Sequence, residues 1–202
     1  PFGLDDSENQ PIREVGKISS LDFKPKDHLE LGIALDLIDM DRAAKVSGSR
    51  FAYIKNELVL MEFALIQYVL ETLKNENFIP IIPPVIVNKK PIDGLGYPEY
   101  QSGEGYKIDD QYLVGTAEHS IVPMHMDDVF APSDLPKRYL GFSTAFRKEA
   151  GTYGKDTKGI FRVHQFDKLE MVSFVHPNDE DKEHEYLLSI EEKLVSALEL
   201  PY

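Results

Sequence analysis

Cysteine is absent from this 202-residue chain, which excludes a disulfide framework and a thiolate metal site. That suits a reducing compartment, and a cytoplasmic location is expected. Basic residues are scarce: 22 lysines and arginines face 35 acidic side chains, for a net charge of −13. A general nucleic-acid-coating role is thereby disfavoured, because phosphate binding draws on lysine and arginine. A local basic site on an acidic body remains open. No apolar run approaches the roughly 18–20 residues of a membrane span. The longest, LVLMEFALIQYVL from Leu58, is broken by Glu62 and Gln67. Signal-like segments, Asn-x-Ser/Thr sites, repeats and low-complexity tracts are also missing.

What is present is an ordinary globular composition, long enough to bury a real core. The chain opens at Pro1 and stops at Leu200-Pro201-Tyr202 straight after a helix-like run, so it is expected to be a piece of a longer protein. Residues 1–27 are polar and proline-bearing and read as an extended leading segment or linker. Residues 28–202 read as one domain. LELGIALDLIDMDRAAKVSG suggests one or two short helices ending at Gly48, and SRFAYIK a short strand. From Asn56 to about Asn75 comes a helix with Asn56 as its cap and Leu58, Met61, Leu65, Val69 and Leu73 on one face. Its other faces carry Val59, Phe63, Ile66 and Leu70, so it wants covering on both sides, by a core and by another subunit. FIPIIPPVIV is strand-like, but its prolines confine it to a sheet edge or subunit seam.

Tyr97 to Tyr106, with Tyr100 between them, reads as loop packing. Gln111–Val114 reads as a strand ending in the turn Gly115-Thr116-Ala117-Glu118. LPKRYLGFSTAFRKE and IFRVHQFDKLEMVSFV read as two strands joined by 150–159, and Asp179–Leu198 as a helix with an acidic N-terminus. The fold expected is α+β, with a mainly antiparallel sheet flanked by helices. His119, His125, His164, His176 and His184 lack metal-ligand spacing, and no metal site is expected.

The hairpin carries the chemistry. Residues two apart on a strand share a face, so Arg147 and Glu149 project together. On the other arm Arg162, His164, Phe166, Lys168 and Glu170 form a line of roughly 26 Å, at about 3.3 Å per residue. Phe161, Val163, Leu169 and Met171 point the other way. Arginine forks bind phosphate, a phenylalanine face takes a purine, and a carboxylate accepts from an amine. Gly151, Gly154 and Gly159 let the connection bend. Charged outer positions on a long hairpin also suit a merely solvated edge. GTYGKDT lacks phosphate-loop spacing and sits between strands rather than opening a helix.

FRKEAGTYGKDTKGIFRVHQFDKLE closely resembles motif 2 of class II aminoacyl-tRNA synthetases, in the version found in seryl-tRNA synthetases. KDHLELGIALDLIDMDRAAKVSGSRFAYIKNELVLMEFALIQYVLE with FIPIIPPVIV resembles motif 1, which forms the dimer interface. LVGTAEHS resembles the serine-binding T-x-E loop. The likeness covers about residues 15–202, as part of a class II catalytic domain. It implies ATP-dependent activation of serine and transfer to serine tRNA, with Mg2+ arriving on ATP and a homodimer through motif 1. Carried over, Arg147 and Arg162 are the catalytic arginines. Arg147, Lys148, Glu149, Arg162, Val163 and Phe166 bind ATP. Thr116, Ala117, Glu118, Arg147 and Glu170 bind serine, and Lys148, Lys155 and Lys158 meet the tRNA. The family's N-terminal coiled-coil arm and motif 3 have no counterpart in the sequence. Two rivals stay open: a non-catalytic synthetase-like module, and a class II relative for another amino acid or a carrier protein.

Overall fold

The computed structural model describes residues 6–97, 100, 105–149 and 158–202. The expectations for Gly151, Gly154 and Lys155 lie outside the described residues. Helix α1 (His28–Ala34) opens with a capping box: the Asp27 carboxylate accepts the Glu30 N–H at 2.8 Å, and Glu30 accepts the Asp27 N–H at 3.0 Å. Strand β1 (Ile38–Asp39) leads into α2 (Met40–Ser47), capped by Asp39 and stopped at Gly48 as its φ of 95° requires. β2 (Tyr53–Ile54) pairs antiparallel with β1. The two helices match expectation; strands of two residues are too short to leave a period in the sequence.

Helix α3 (Glu57–Asn75) follows. Asn56 stands at its cap position, but its side chain does not cap. The backbone arrives there with φ 52°, and the Asn56 amide donates to the Asp36 carbonyl at 2.9 Å instead. β3 (Ile79–Ile81), β4 (Ile86–Asn88), α4 (Lys89–Leu95), β5 (Lys107–Ile108) and β6 (Gln111–Leu113) come next. The polar turn after β6 opens a short helix, α5 (Glu118–Ile121), rather than a plain loop. β7 (Lys137–Phe146), β8 (Gln165–Phe174) and α6 (Glu180–Ala197) complete the order.

β7 and β8 form a ten-residue antiparallel ladder, from Lys137 opposite Phe174 to Phe146 opposite Gln165. β3 lies parallel to β7 at the edge, where Pro80 can be tolerated. β4, β6 and β5 make a second, antiparallel sheet. On one face of the β7–β8 ribbon, Leu140, Leu169 and Met171 pack against Leu73 and Phe78 at the end of α3 and Ile190 of α6. Arg138 grips the buried Glu183 of α6 through two bonds of 2.6 and 2.7 Å, and Ser173 adds a third at 2.8 Å. The other face packs Tyr139 and Val172 on Ala117 and Ile121 of α5.

The two arms are shorter than the sequence suggested. Arg147, Lys148, Glu149, Arg162, Val163 and His164 lie on the connecting segment, not on strands. Left-handed backbone at Glu149 (φ 49°) and Gly159 (φ 74°) ends the extended run. The His164 N–H donates to Arg50 at 3.0 Å rather than across the ladder. Alternation therefore orders only Phe166, Lys168 and Glu170.

Candidate active site

Gly141 sits opposite Glu170 on the ribbon. A Cβ there would stand 2.4 Å from Ile121 Cδ1, so the missing side chain lets α5 lie directly on β7. That approach carries Thr116, at the start of α5, across to Glu170. The Thr116 hydroxyl donates to the Glu170 carboxylate and accepts the Lys168 ammonium at 3.0 Å. Lys168 also ion-pairs with Glu170. An ammonium group thus occupies a threonine–carboxylate acceptor pair, which is the recognition chemistry of a primary amine. Ala117, read from the motif as a serine contact, is fully buried in the core against the ribbon and exposes no atom to a ligand. The Glu118 carboxylate, half-buried in the first turn of α5, has no hydrogen bond or ion pair among the described residues, while its carbonyl accepts the Val122 N–H.

Beside this acceptor pair stands Arg147. Its Nε donates to the Gly115 carbonyl at 3.0 Å, and its guanidinium lies 5.3 Å from the Phe166 ring centroid. Its backbone is zipped to His164, N–H to carbonyl at 2.9 Å and His164 Nδ1 to the Arg147 carbonyl at 2.9 Å. Glu149 ion-pairs with Arg162, and Arg50 Nη1 donates to the Glu149 carbonyl at 3.0 Å. Lys148 Nζ lies 5.7 Å from the Tyr106 ring, and Val163 is buried. Farther along, Lys158 pairs with Asp27, whose carboxyl it holds below the ordinary range. The Ile160 N–H donates to His28 Nε2 at 3.3 Å, and a Cβ on Gly159 would collide with that ring.

Beneath the Gly115 turn lies a buried pair, Tyr100 and His119. Burial, then the cations of Arg147 and Lys168, lowers the imidazole pKa from its ordinary 6.5 to about 4. No group of three or more His, Cys, Asp or Glu residues able to hold a metal occurs among the described residues. No described helix is long and apolar enough to cross a membrane.

Comparisons with known proteins bear on the fold and the family. The family described as "tRNA synthetase class II core domain (G, H, P, S and T)" matches residues 104–201. The chain is 42% identical over its whole length to serine--tRNA ligase from Nitrosopumilus maritimus, covering 48% of that protein. It is 50% identical to serine--tRNA ligase 1 of Streptomyces avermitilis, over 89% of this chain and 43% of the relative. Superposition on the crystal structure of seryl-tRNA synthetase from Pyrococcus horikoshii complexed with ATP gives a TM-score of 0.94 at 40% identity. That superposition covers 100% of this chain and 50% of the other. The chain belongs to the seryl-tRNA synthetase family. It spans about half the length of the curated relatives it matches.

In this chain the structure gathers Thr116, Arg147, Phe166 and Glu170 together, with Glu149 and Arg162 paired nearby. Sequence reasoning gave no site role to Lys168, Arg50 or His119, and it read Tyr100 as loop packing. Lys168 was visible as the middle member of the Phe166–Glu170 face. Arg50 and Tyr100 lie far from the motif in sequence, so nothing local pointed to them. Lys155 lies outside the described residues.

Proposed function

We propose that the chain is the part of a serine--tRNA ligase catalytic domain that binds serine and ATP, forms seryl-adenylate and passes the seryl group to serine tRNA. The observation that carries this reading is the ammonium held between Thr116 and Glu170, next to a turn whose Gly115 carbonyl holds an arginine that stacks on Phe166. The solved relative from Pyrococcus horikoshii, complexed with ATP, supports the nucleotide part.

The serine ammonium takes the place of the Lys168 ammonium on Glu170 and Thr116. Arg147 holds the serine carboxylate and the α-phosphate together, and Phe166 packs on the adenine. Glu149 accepts from the adenine amino group while Arg162 turns to the terminal phosphates, so their mutual ion pair opens when ATP arrives. Val163 contributes through its backbone, and the fully buried Ala117 by seating α5 against the ribbon. The carboxylate oxygen attacks the α-phosphorus in line as pyrophosphate leaves, and the enzyme supplies position and charge. A tRNA hydroxyl then attacks the seryl carbonyl and AMP departs. Magnesium belongs to the ATP substrate. Lys148, Lys155 and Lys158 face the tRNA acceptor end, with Lys158 exchanging Asp27 for phosphate. The exposed apolar side chains Leu60, Met61, Phe63 and Ile82, around α3 and β3, support a homodimer through this region.

Serine-dependent ATP–pyrophosphate exchange tests the reading, with threonine, alanine and glycine as controls. Exchange with serine alone is expected; equal exchange with threonine or alanine rejects the specificity. Arg147→Ala should weaken ATP and serine together, by roughly 100-fold or more in exchange rate. Glu170→Ala should weaken mainly serine, and unchanged serine binding would sink the role of that carboxylate.

A further inference from the structure

His119 and Tyr100 take no part in the chemistry above, yet they are the enclosed polar pair next to it. Tyr100 is 7% exposed and His119 1%. The Tyr100 hydroxyl lies 2.9 Å from the Leu113 carbonyl and 3.0 Å from His119 Nδ1. It also accepts the Gly115 N–H at 2.9 Å, and the same N–H lies 3.2 Å from Nδ1. An amide N–H aimed at Nδ1 assigns the lone pair to that nitrogen and the ring proton to Nε2. Nε2 is buried with no hydrogen-bond partner among the described residues. A buried unpaired N–H is costly, and its retention calls for a compensating role elsewhere on the ring.

That role is visible at Gly115. Tyr100 and His119 hold its N–H, while its carbonyl accepts Arg147 Nε at 3.0 Å. A glycine left to itself samples a wide range of backbone angles; here both flanking peptide groups are gripped. The residue on one side is Thr116, and the side chain on the far end of the carbonyl bond is Arg147. Fixing Gly115 therefore fixes the amine acceptor and the arginine fork at once.

We propose that His119 and Tyr100 form a buried strut that sets Gly115 and thereby aims the Arg147 guanidinium, His119 being a positioning residue for the substrate-binding arginine. The proposal rests on Arg147 being the group that holds ATP. The depressed imidazole pKa suits this role, because protonation of Nδ1 would turn an N–H against the Gly115 N–H.

The Arg147 Nε–H resonance, assigned by its loss in Arg147→Lys and observed in the 15N-labelled full chain without substrate, tests the strut apart from any serine activation. His119→Leu and Tyr100→Phe should each shift it and speed its exchange with water about tenfold, the size of one lost hydrogen bond. His119→Asn, which keeps an acceptor near Nδ1, should restore the wild-type signal. Tyr100→Phe removes only an oxygen, so it serves where His119→Leu fails to fold. An unchanged Arg147 signal in folded Tyr100→Phe overturns the strut. ATP affinity, read with a fluorescent ATP analogue, should fall about tenfold in His119→Leu and not fall further when Arg147→Ala is already present. Additive losses would overturn the route through Arg147.

Discussion

The two faces of the β7–β8 ribbon are held by different physics. On the helix face, Leu73, Phe78, Leu140 and Ile190 are buried against one another, and the ion pair there, Arg138 with Glu183, is bidentate and backed by Ser173. On the site face, Lys168, Glu170 and Thr116 satisfy one another, and so do Arg162 and Glu149. Removing a side chain from the first face leaves a void that nothing fills. Removing a partner from the second leaves groups that a bound substrate can satisfy. On this three-stranded sheet the exchangeable polar pairs therefore sit on the site face, beside the packing of Tyr139 and Val172 on α5, while the helix face is closed by apolar side chains.

The largest expected effect breaks the helix face. Leu73→Ala should cost about 3–5 kcal/mol of stability, because Leu73 is fully enclosed between α3, β7 and α6. A urea midpoint shift measures it. In the fraction that remains folded, the dissociation constant of ATP should change less than about twofold, since residues on opposite faces with no shared partner act independently. A larger change would mean the faces are coupled through the ribbon.

A smaller effect separates the faces by pH. His119 has a folded pKa of about 4 against its ordinary 6.5. As pH falls below 6.5 the unfolded chain takes up a proton that the folded chain refuses until about 4. Stability therefore declines across that window, by up to about 3 kcal/mol. On the helix face the direction is the same, but the cause is pairing rather than burial. Glu183 is held low by hydrogen bonds from Arg138, so its contribution persists above the ordinary carboxylate range and is lost below it. Between pH 6.5 and 5, then, His119 of the unfolded chain takes up its proton, while Glu183 stays ionised. His119→Asn should flatten urea midpoints over that interval, and an equal slope in the variant would remove His119 as the cause.

Which parts of this were legible in the sequence follows from the range of each signal. The apolar period of α3, the proline-limited edge strand and the Phe166–Lys168–Glu170 alternation are local patterns, and each reappears in the structure. The strand ends were not legible. Glu149 and Gly159 adopt left-handed backbone, and a glutamate gives no warning of that. Asn56 had the right residue type for a cap, yet a carbonyl 20 residues away took its amide. At the site, motif likeness singled out Arg147 and Glu170, but not what holds them. Arg50 reaches Glu149 across 99 positions, and the Tyr100 contact with His119 spans 19. Such contacts depend on tertiary placement, which no period or spacing records.

The smallest effect sharpens the contrast at its most exchangeable point. In the proposed function Lys168 stands where the substrate amine would bind, so an amine would have to displace it. Its side chain is about one-third exposed, so the pair with Glu170 is screened by water and weak compared with a fully buried one. Lys168→Met keeps the aliphatic length and removes the competing cation. An amine with a hydroxyl but no carboxylate, such as serinol, should then bind about three- to tenfold more tightly, the worth of a partly exposed ion pair. Isothermal titration against the full chain reads this directly. Serine itself is the less informative ligand, because a displaced lysine can turn to its carboxylate and offset the gain. Weaker serinol binding in Lys168→Met would mean that the ammonium assists the amine site rather than filling it, and the site face would then be as fixed as the helix face.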